Sequence, residues 1–184
     1  VMLVSIFTQV VYAEEVFSDV DSGNENFEAI NALEAAEIVK GYDDGSFKPN
    51  QFLNRAELLK MAVMGADSFD YFERGDCFKD VGYQWFASYV CMAKSSWWVD
   101  GYGDGYFRPT TEVNKVEALK MFLEAFEVEL VSPLNDPFVD VGRDAWFAKY
   151  VHSANLMGLL SESGVYHNPG NKMTRGEAAE LLYR

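Results

Sequence analysis

Three basic residues recur along the chain at a constant spacing of 60 residues, each in the second position of the same short motif. They are Arg55, Lys115 and Arg175, and each lies between an Asn or Thr and a Glu two residues further on. A cationic side chain can hold an anion such as a carboxylate or a phosphate, and Arg does so with two parallel hydrogen bonds. The repeated cation therefore predicts an anion-binding site that occurs up to three times.

The motif that surrounds each cation is typical of a helix start. Asn54 and Glu57 match a capping box, in which the Glu reaches back to the N–H group of the cap residue. A cation in the first turn is unfavourable for the helix dipole, so helix stability gives no reason for it, whereas the free N–H groups there attract anions. Two interpretations stay open: an anion ligand binds at these cations, or each cation pairs with an acidic side chain of a neighbouring repeat.

The repeat extends beyond the motif and divides the chain into three units. Pro49, Pro109 and Pro169 lie upstream of the three motifs in the same register. A unit of about 50 residues is too small to bury a sufficient core alone, so the three units are expected to share one core.

Each unit opens with a Phe-x-Asp-Val motif, which begins at Phe17, Phe78 and Phe138. The Phe and Val are spaced to bury together while the Asp accepts backbone N–H groups, so we interpret the motif as the approach to a helix. Helices are then predicted over about 26–39, 83–97 and 144–157.

A glycine-rich turn follows the first helix in two of the units. Gly41 and Gly101 are predicted to end that helix in a left-handed conformation, and Asp-Gly closes the turn. The third unit lacks this signature, and we align Gly158 with the two glycines. His167 takes the position of Phe47 and Phe107, which favours a partly buried ring over a catalytic one. The paired acids of the first turn do not have the spacing of an EF-hand calcium loop.

Composition restricts the kind of partner. The formal net charge is −14, and hydrophobic residues make up 49% of the chain, as expected for a folded protein. So negative a chain is repelled by nucleic acid and by anionic membrane surfaces. An anionic ligand must therefore be held locally, by a few basic side chains.

The apolar run over residues 1–13 resembles the remnant of a secretory signal, although a buried first strand or helix is the alternative. It is too short to span a bilayer. Export into an oxidising compartment predicts a disulfide between Cys77 and Cys91, with two buried thiols as the alternative.

The combined motifs resemble the S-layer homology family. The resemblance covers Phe17 to Arg184 and depends on Phe-x-Asp-Val, Gly-Tyr-x-Asp-Gly-x-Phe-x-Pro and the Thr-Arg-Ala-Glu-like helix start. It implies a mainly α fold in which three tandem helix-loop-helix repeats surround a central three-helix bundle in a pseudo-threefold arrangement. The implied repeats are residues 17–65, 77–128 and 137–184, together one domain.

The resemblance also implies a function. Domains of this family anchor exported proteins to the cell envelope by binding secondary cell-wall polysaccharide, typically through pyruvate-ketal sugars. The family's contact to the ketal carboxylate corresponds to Arg55 and Arg175, and to Lys115 with a point charge in place of the planar fork. Aromatic rings that could stack on a sugar are Tyr42, Tyr102, Trp85 and Trp146, with packing in the core or at the rim as the alternative.

The sequence therefore predicts a non-catalytic cell-surface module without a cofactor or metal, whose partner is a cell-wall polysaccharide. The alternative is a structural assembly protein that binds protein partners or calcium and self-assembles. An enzyme is disfavoured, because Asp43 and Asp44 are adjacent in a tight turn and rarely converge on one substrate atom, and His152 and His167 have no evident partners.

Overall fold

A computed structural model describes residues 15–67, 76–160 and 167–184, so the signal-like run over residues 1–13 lies outside the described residues. Within these ranges the chain forms six helices and no strand, which confirms the mainly α fold class. None of the helices there has the length and apolar composition that crossing a bilayer requires. In chain order the helices are α1 (Phe27–Ala35), α2 (Arg55–Gly65), α3 (Ala87–Ser95), α4 (Lys115–Ala125), α5 (Ala148–Leu156) and α6 (Arg175–Tyr183).

The helices α2, α4 and α6 begin at the repeated motifs, as predicted. In α2, Asn54 Oδ1 accepts a hydrogen bond from the Glu57 N–H group at 3.0 Å, and the Glu57 carboxylate accepts one from the Asn54 N–H group at 3.0 Å. The same two bonds form at the starts of α4 and α6. All three cations therefore occupy the first helical position.

The helices α1, α3 and α5 are shorter than predicted. Their ends are set by residues in the left-handed conformation, which are Glu37 (φ 58°), Trp97 (φ 65°) and Gly158 (φ 72°). The prediction that Gly41 and Gly101 cap the helices was wrong, because the left-handed residue that ends each helix lies four residues before the glycine. Aligning Gly158 with those two glycines was wrong for the same reason, since Gly158 is the counterpart of Glu37 and Trp97.

Gly41 and Gly101 serve close packing instead. A Cβ atom at Gly41 would overlap the ring of Phe17 and lie 2.8 Å from the Ser46 carbonyl oxygen, and one at Gly101 would overlap the ring of Phe78. The absence of a side chain lets the opening Phe of the unit pack against the turn.

The Asp of each Phe-x-Asp-Val motif holds a turn and not the approach to a helix. Asp19 accepts the N–H groups of Phe47 and Lys48 at 2.7 and 2.8 Å. Asp80 does the same for Phe107 and Arg108, and Asp140 for the residue pair that starts at His167. Each carboxylate thus joins the start of its unit to a segment about 28 residues further along the chain. That segment leads into α2, α4 or α6, the long helix of the unit.

A ring of backbone hydrogen bonds joins the three units. The N–H group of Leu53 donates to the carbonyl oxygen of Met173, Met173 donates to Val113, and Val113 donates back to Leu53, each at 3.0 Å. All three residues are buried. The ring lies directly before the starts of α2, α4 and α6, and therefore fixes these helix starts against one another.

Helix packing follows the same cyclic order. The helix α2 contacts both α4 and α6, while α1 packs on α6, α3 on α2, and α5 on α4. Each short helix therefore covers the long helix of a different unit, so no unit buries its core alone. A disulfide joins Cys77 to Cys91 and ties α3 to the start of its unit.

Candidate functional site

Arg175 is held at the first position of α6 with only 9% of its surface exposed. Its Nε donates to the Phe47 carbonyl oxygen at 2.8 Å, and Nη2 donates to the Lys40 carbonyl oxygen at 3.1 Å. The guanidinium carbon lies 5.0 Å from the centre of the Tyr42 ring. Within the described ranges no carboxylate forms an ion pair with Arg175. The guanidinium is therefore fixed by neutral groups and keeps its charge available.

Arg55 has an equivalent setting at the start of α2, with 5% of its surface exposed. Its Nε donates to the Phe107 carbonyl oxygen at 3.0 Å, and the guanidinium carbon lies 5.1 Å from the centre of the Tyr102 ring. Burial lowers the pKa of Arg55, although an Arg side chain stays protonated. It differs from Arg175 in one contact, because Nη1 lies 3.6 Å from Oε1 of Glu117.

Lys115 also has an acidic neighbour, with Nζ 3.7 Å from Oε1 of Glu177. It lines a pocket of about 380 Å³ together with Glu25, Glu180 and the buried His167. The interpretation that each cation pairs with an acidic side chain of a neighbouring unit thus describes two of the three cations. Pairing with an acid of a neighbouring unit occurs at Arg55 and Lys115, whereas Arg175 has no such partner in the described part of the chain.

The four aromatic candidates occupy two kinds of position. Tyr42 and Tyr102 pack against the guanidinium groups of Arg175 and Arg55. Trp85 and Trp146 lie at the protein surface and are 58% and 57% exposed, and we call them the rim tryptophans. Trp146 lines a pocket of about 170 Å³ together with Arg55 and Tyr102. The tyrosines therefore position the cations, while the tryptophan faces are open to a ligand.

Comparison with protein families identifies the first unit. Residues 16–59 match the S-layer homology domain. The match contains Arg55, Tyr42 and Asp19, the residue that accepts two successive N–H groups, so the fixed guanidinium of Arg55 lies within the matched residues. The second and third units lie outside the matched residues.

Relatives of known sequence cover most of the chain at low identity. The chain is 23% identical to S-layer protein EA1 of Bacillus anthracis over 98% of its length and 24% identical to a cellulosome-anchoring protein of Acetivibrio thermocellus over 76%. It is also 22% identical to an uncharacterised cell wall amidase of Bacillus anthracis over 92% of its length. The chain spans only 21%, 30% and 32% of these proteins, respectively.

The S-layer homology domain and these relatives support the predicted location at the cell surface or in the cell envelope, and a role in anchoring there. Two of the three names describe an S-layer protein and an anchoring protein, and the third describes a cell wall amidase. The amidase name belongs to a protein about three times as long as this chain.

We call the surface beside each motif cation a groove, which gives one groove at Arg55, one at Lys115 and one at Arg175. Side chains that the sequence analysis did not select distinguish these three grooves. Lys60 and Lys120 occupy the same position of α2 and α4, and Glu180 occupies it in α6. Lys120 Nζ lies 2.6 Å from Oδ2 of Asp100, and the equivalent of Asp100 in the first unit is Lys40, directly before Gly41. The signal for these positions was present in the repeat register, five residues after each motif cation and one residue before each turn glycine.

Proposed function

We propose that the chain comprises three tandem S-layer homology modules, residues 17–65, 77–128 and 137–184, in a pseudo-threefold arrangement around a bundle of α2, α4 and α6. This domain is a non-catalytic anchor that binds secondary cell-wall polysaccharide, with pyruvate-ketal sugars as its ligands. The observation that carries the proposal is the pair of buried guanidinium groups of Arg55 and Arg175, each fixed through Nε at a helix start.

Equivalent contacts in all three units support the modular part of the proposal. Each unit has a capping box at its long helix and an Asp that accepts two successive N–H groups. The backbone ring through Leu53, Val113 and Met173 closes only when one member comes from each unit. The second and third units thus have the same construction as the unit that matches the family.

The geometry of the arginines supports an anionic ligand. Because Nε is held by a carbonyl group, the terminal nitrogens are oriented before a ligand arrives, and little ordering cost remains on binding. A guanidinium at a helix start adds a bidentate donor to the positive end of the helix dipole, which suits a carboxylate. The exposed face of Trp85 or Trp146 adds an apolar platform for a sugar ring.

The three grooves are not equal in this proposal. Lys115 shares its pocket with Glu25, Glu177 and Glu180, which would repel a carboxylate, and the position of the rim tryptophan is occupied by Glu25. We assign polysaccharide binding to the grooves at Arg55 and Arg175 and none to the groove at Lys115.

Binding to purified cell-wall polysaccharide, with and without its pyruvate ketals, tests the proposal. We expect retention of the chain on the intact polymer and its loss when the ketals are removed or when Arg55→Ala and Arg175→Ala are combined. Arg143→Ala, which removes one exposed cation from the surface, serves as the control for a general charge effect and should bind normally. Unchanged binding by the double variant would contradict the proposal, and concentration-dependent oligomers without retention would favour the assembly role.

A further inference from the structure

The groove at Arg175 contains two additional cations. Nη2 of Arg175 contacts the backbone of Lys40, so the exposed side chain of Lys40 starts at the edge of this groove. Lys60 Nζ lies 5.8 Å from the centre of the Trp85 ring, and these two residues are the repeat counterparts of Lys120 and Trp146, which line the pocket at Arg55. Within the described ranges neither Lys40 nor Lys60 forms an ion pair. One groove of a strongly acidic protein is thus bordered by three positive charges, none of which forms an ion pair with a described residue.

The electrostatics of Lys60 agree with this placement. Burial lowers its pKa, and the charges of Lys40 and Arg175 lower it further. Neighbouring cations disfavour one another's charged forms, and an anion that binds between them stabilises the charged form of each. The groove at Arg175 therefore has unsatisfied positive charge away from the guanidinium as well as at it.

The groove at Arg55 has the same construction, but its lysine is already paired with a carboxylate. Asp100 replaces Lys40 and holds Lys120 at 2.6 Å, while Glu117 lies 3.6 Å from Arg55. Glu57 and Glu117 both bond to their own helix caps, but Glu57 forms no ion pair with Arg175 in the described part of the chain. The two grooves therefore offer similar shapes and different charges.

We propose that the groove at Arg175 binds a segment of the polymer that carries two carboxylates, one at Arg175 and the second between Lys40 and Lys60. The groove at Arg55 accepts one carboxylate only. Lys40 is the specificity-determining residue, because its counterpart Asp100 removes the second site. This inference rests on the proposed function, from which it takes the carboxylate as the ligand group.

Titration of the full chain with malonate and with acetate, followed by NMR, tests the inference. The indole N–H signals of Trp85 and Trp146 report the two grooves separately. We expect malonate to bind at Trp85 about two- to fivefold more tightly than acetate, the factor that one additional partly exposed ion pair supplies. At Trp146 the two anions should bind alike.

Exchange of the two distinguishing residues provides reciprocal variants. Lys40→Asp should reduce the malonate preference at Trp85 to about one, and Asp100→Lys should create a preference at Trp146. Both positions are exposed, so the fold should persist, and an unchanged dispersion of the NMR signals checks it. Equal binding of the two anions at Trp85 in the unmodified chain, or a preference that survives Lys40→Asp, would overturn the inference.

The two proposals fail in different ways. A malonate preference at Trp85 in a chain that does not bind the polysaccharide would retain the two-carboxylate site and reject the glycan. Ketal-dependent polysaccharide binding without a malonate preference would retain the anchoring function and reject the two-carboxylate site.

Discussion

Nε of Arg175 donates a 2.8 Å hydrogen bond to the carbonyl oxygen of Phe47, a residue 128 positions earlier in the chain. Nε of Arg55 makes the same bond to Phe107. Each arginine thus fixes the turn of another unit through one edge of its guanidinium. In the proposed function the terminal nitrogens of the same side chain bind the ligand, so that structure and ligand binding would depend on one residue.

Exchange of Arg175 for lysine should separate charge from geometry. Arg175→Lys keeps the cation but removes the Nε–H donor, and we expect the free energy of unfolding to fall by about 1–3 kcal/mol. Polysaccharide binding should weaken as well, because lysine lacks the planar fork. Urea unfolding and a binding isotherm measure the two effects. Arg143→Lys on the surface is the control, and equal stability of both variants would refute the structural role of Arg175.

The carboxylate of Asp80, which accepts the N–H groups of Phe107 and Arg108, should be needed for stability. In Asp80→Asn one of the two acceptors for the N–H groups of Phe107 and Arg108 becomes a donor and the charge is lost, so we expect a loss of about 1–3 kcal/mol. Thermal and urea unfolding check this value. Asp43→Asn, at an exposed position in the turn of the first unit, should change stability by less than about 0.5 kcal/mol. If the two variants lost equal stability, the Asp80 carboxylate would make no specific contribution to the free energy of unfolding.

Two glycines of one turn should respond differently to alanine. At Gly101 the new Cβ would meet the Phe78 ring and lie 3.0 Å from the Tyr106 carbonyl oxygen, and the left-handed backbone adds strain, so Gly101→Ala should cost about 1–3 kcal/mol. At Gly103 no atom lies within 4 Å of the added Cβ, and Gly103→Ala should be nearly neutral. Comparison of the two unfolding curves tests the packing explanation, and a neutral Gly101→Ala would reject it.

Acid should destabilise the fold in a defined pH range. Hydrogen bonds from Ser46 and the nearby Lys48 lower the pKa of Asp44 from 3.8 to about 2. Because the folded-state pKa is the lower one, this stabilisation is complete above the unfolded-state pKa and is lost as the pH falls from about 4 to about 2. Although burial opposes it, bonds from the His167 and Asn168 N–H groups also lower the pKa of Asp140.

Urea unfolding at a series of pH values measures this loss. Asp44→Asn should make the decline below about pH 4 shallower, since the substituted side chain no longer takes up a proton. Asp43→Asn, whose side chain makes no hydrogen bond in the described part of the chain, should leave the decline unchanged. The same decline in both variants would mean that Asp44 does not contribute to it.

Local chemistry explains what could be predicted from sequence. The starts of α2, α4 and α6 followed from the capping boxes, because the residues that form them are three positions apart. The ends of α1 and α3 did not follow, because Glu37 and Trp97 adopt the left-handed conformation without being glycine. The role of Gly41 was misjudged for a related reason, since the Phe17 ring that packs against it is remote in sequence.

The candidate site, like the fold, could be predicted where it depends on local sequence and not where it depends on remote contacts. The motif cations and the rim tryptophans could be named from their types and register. The charge of each groove could not, because the Lys120–Asp100 pair joins residues 20 positions apart and the pairing of Arg55 with Glu117 crosses between units. A single difference between equivalent positions, Lys40 in the first unit and Asp100 in the second, changes the net charge of a groove without altering the motif.

The hydrogen-bond ring through Leu53, Val113 and Met173 has a kinetic consequence. Its members come from the three thirds of the chain, and the Leu53–Met173 bond cannot form until both ends of the fold have met, which makes ring closure an entropically costly, late event. A partly synthesised chain that lacks the third member exposes unpaired backbone groups at Leu53 and Val113. We therefore expect the three units to acquire protection from amide hydrogen exchange together, as one cooperative unit, and not one after another during synthesis.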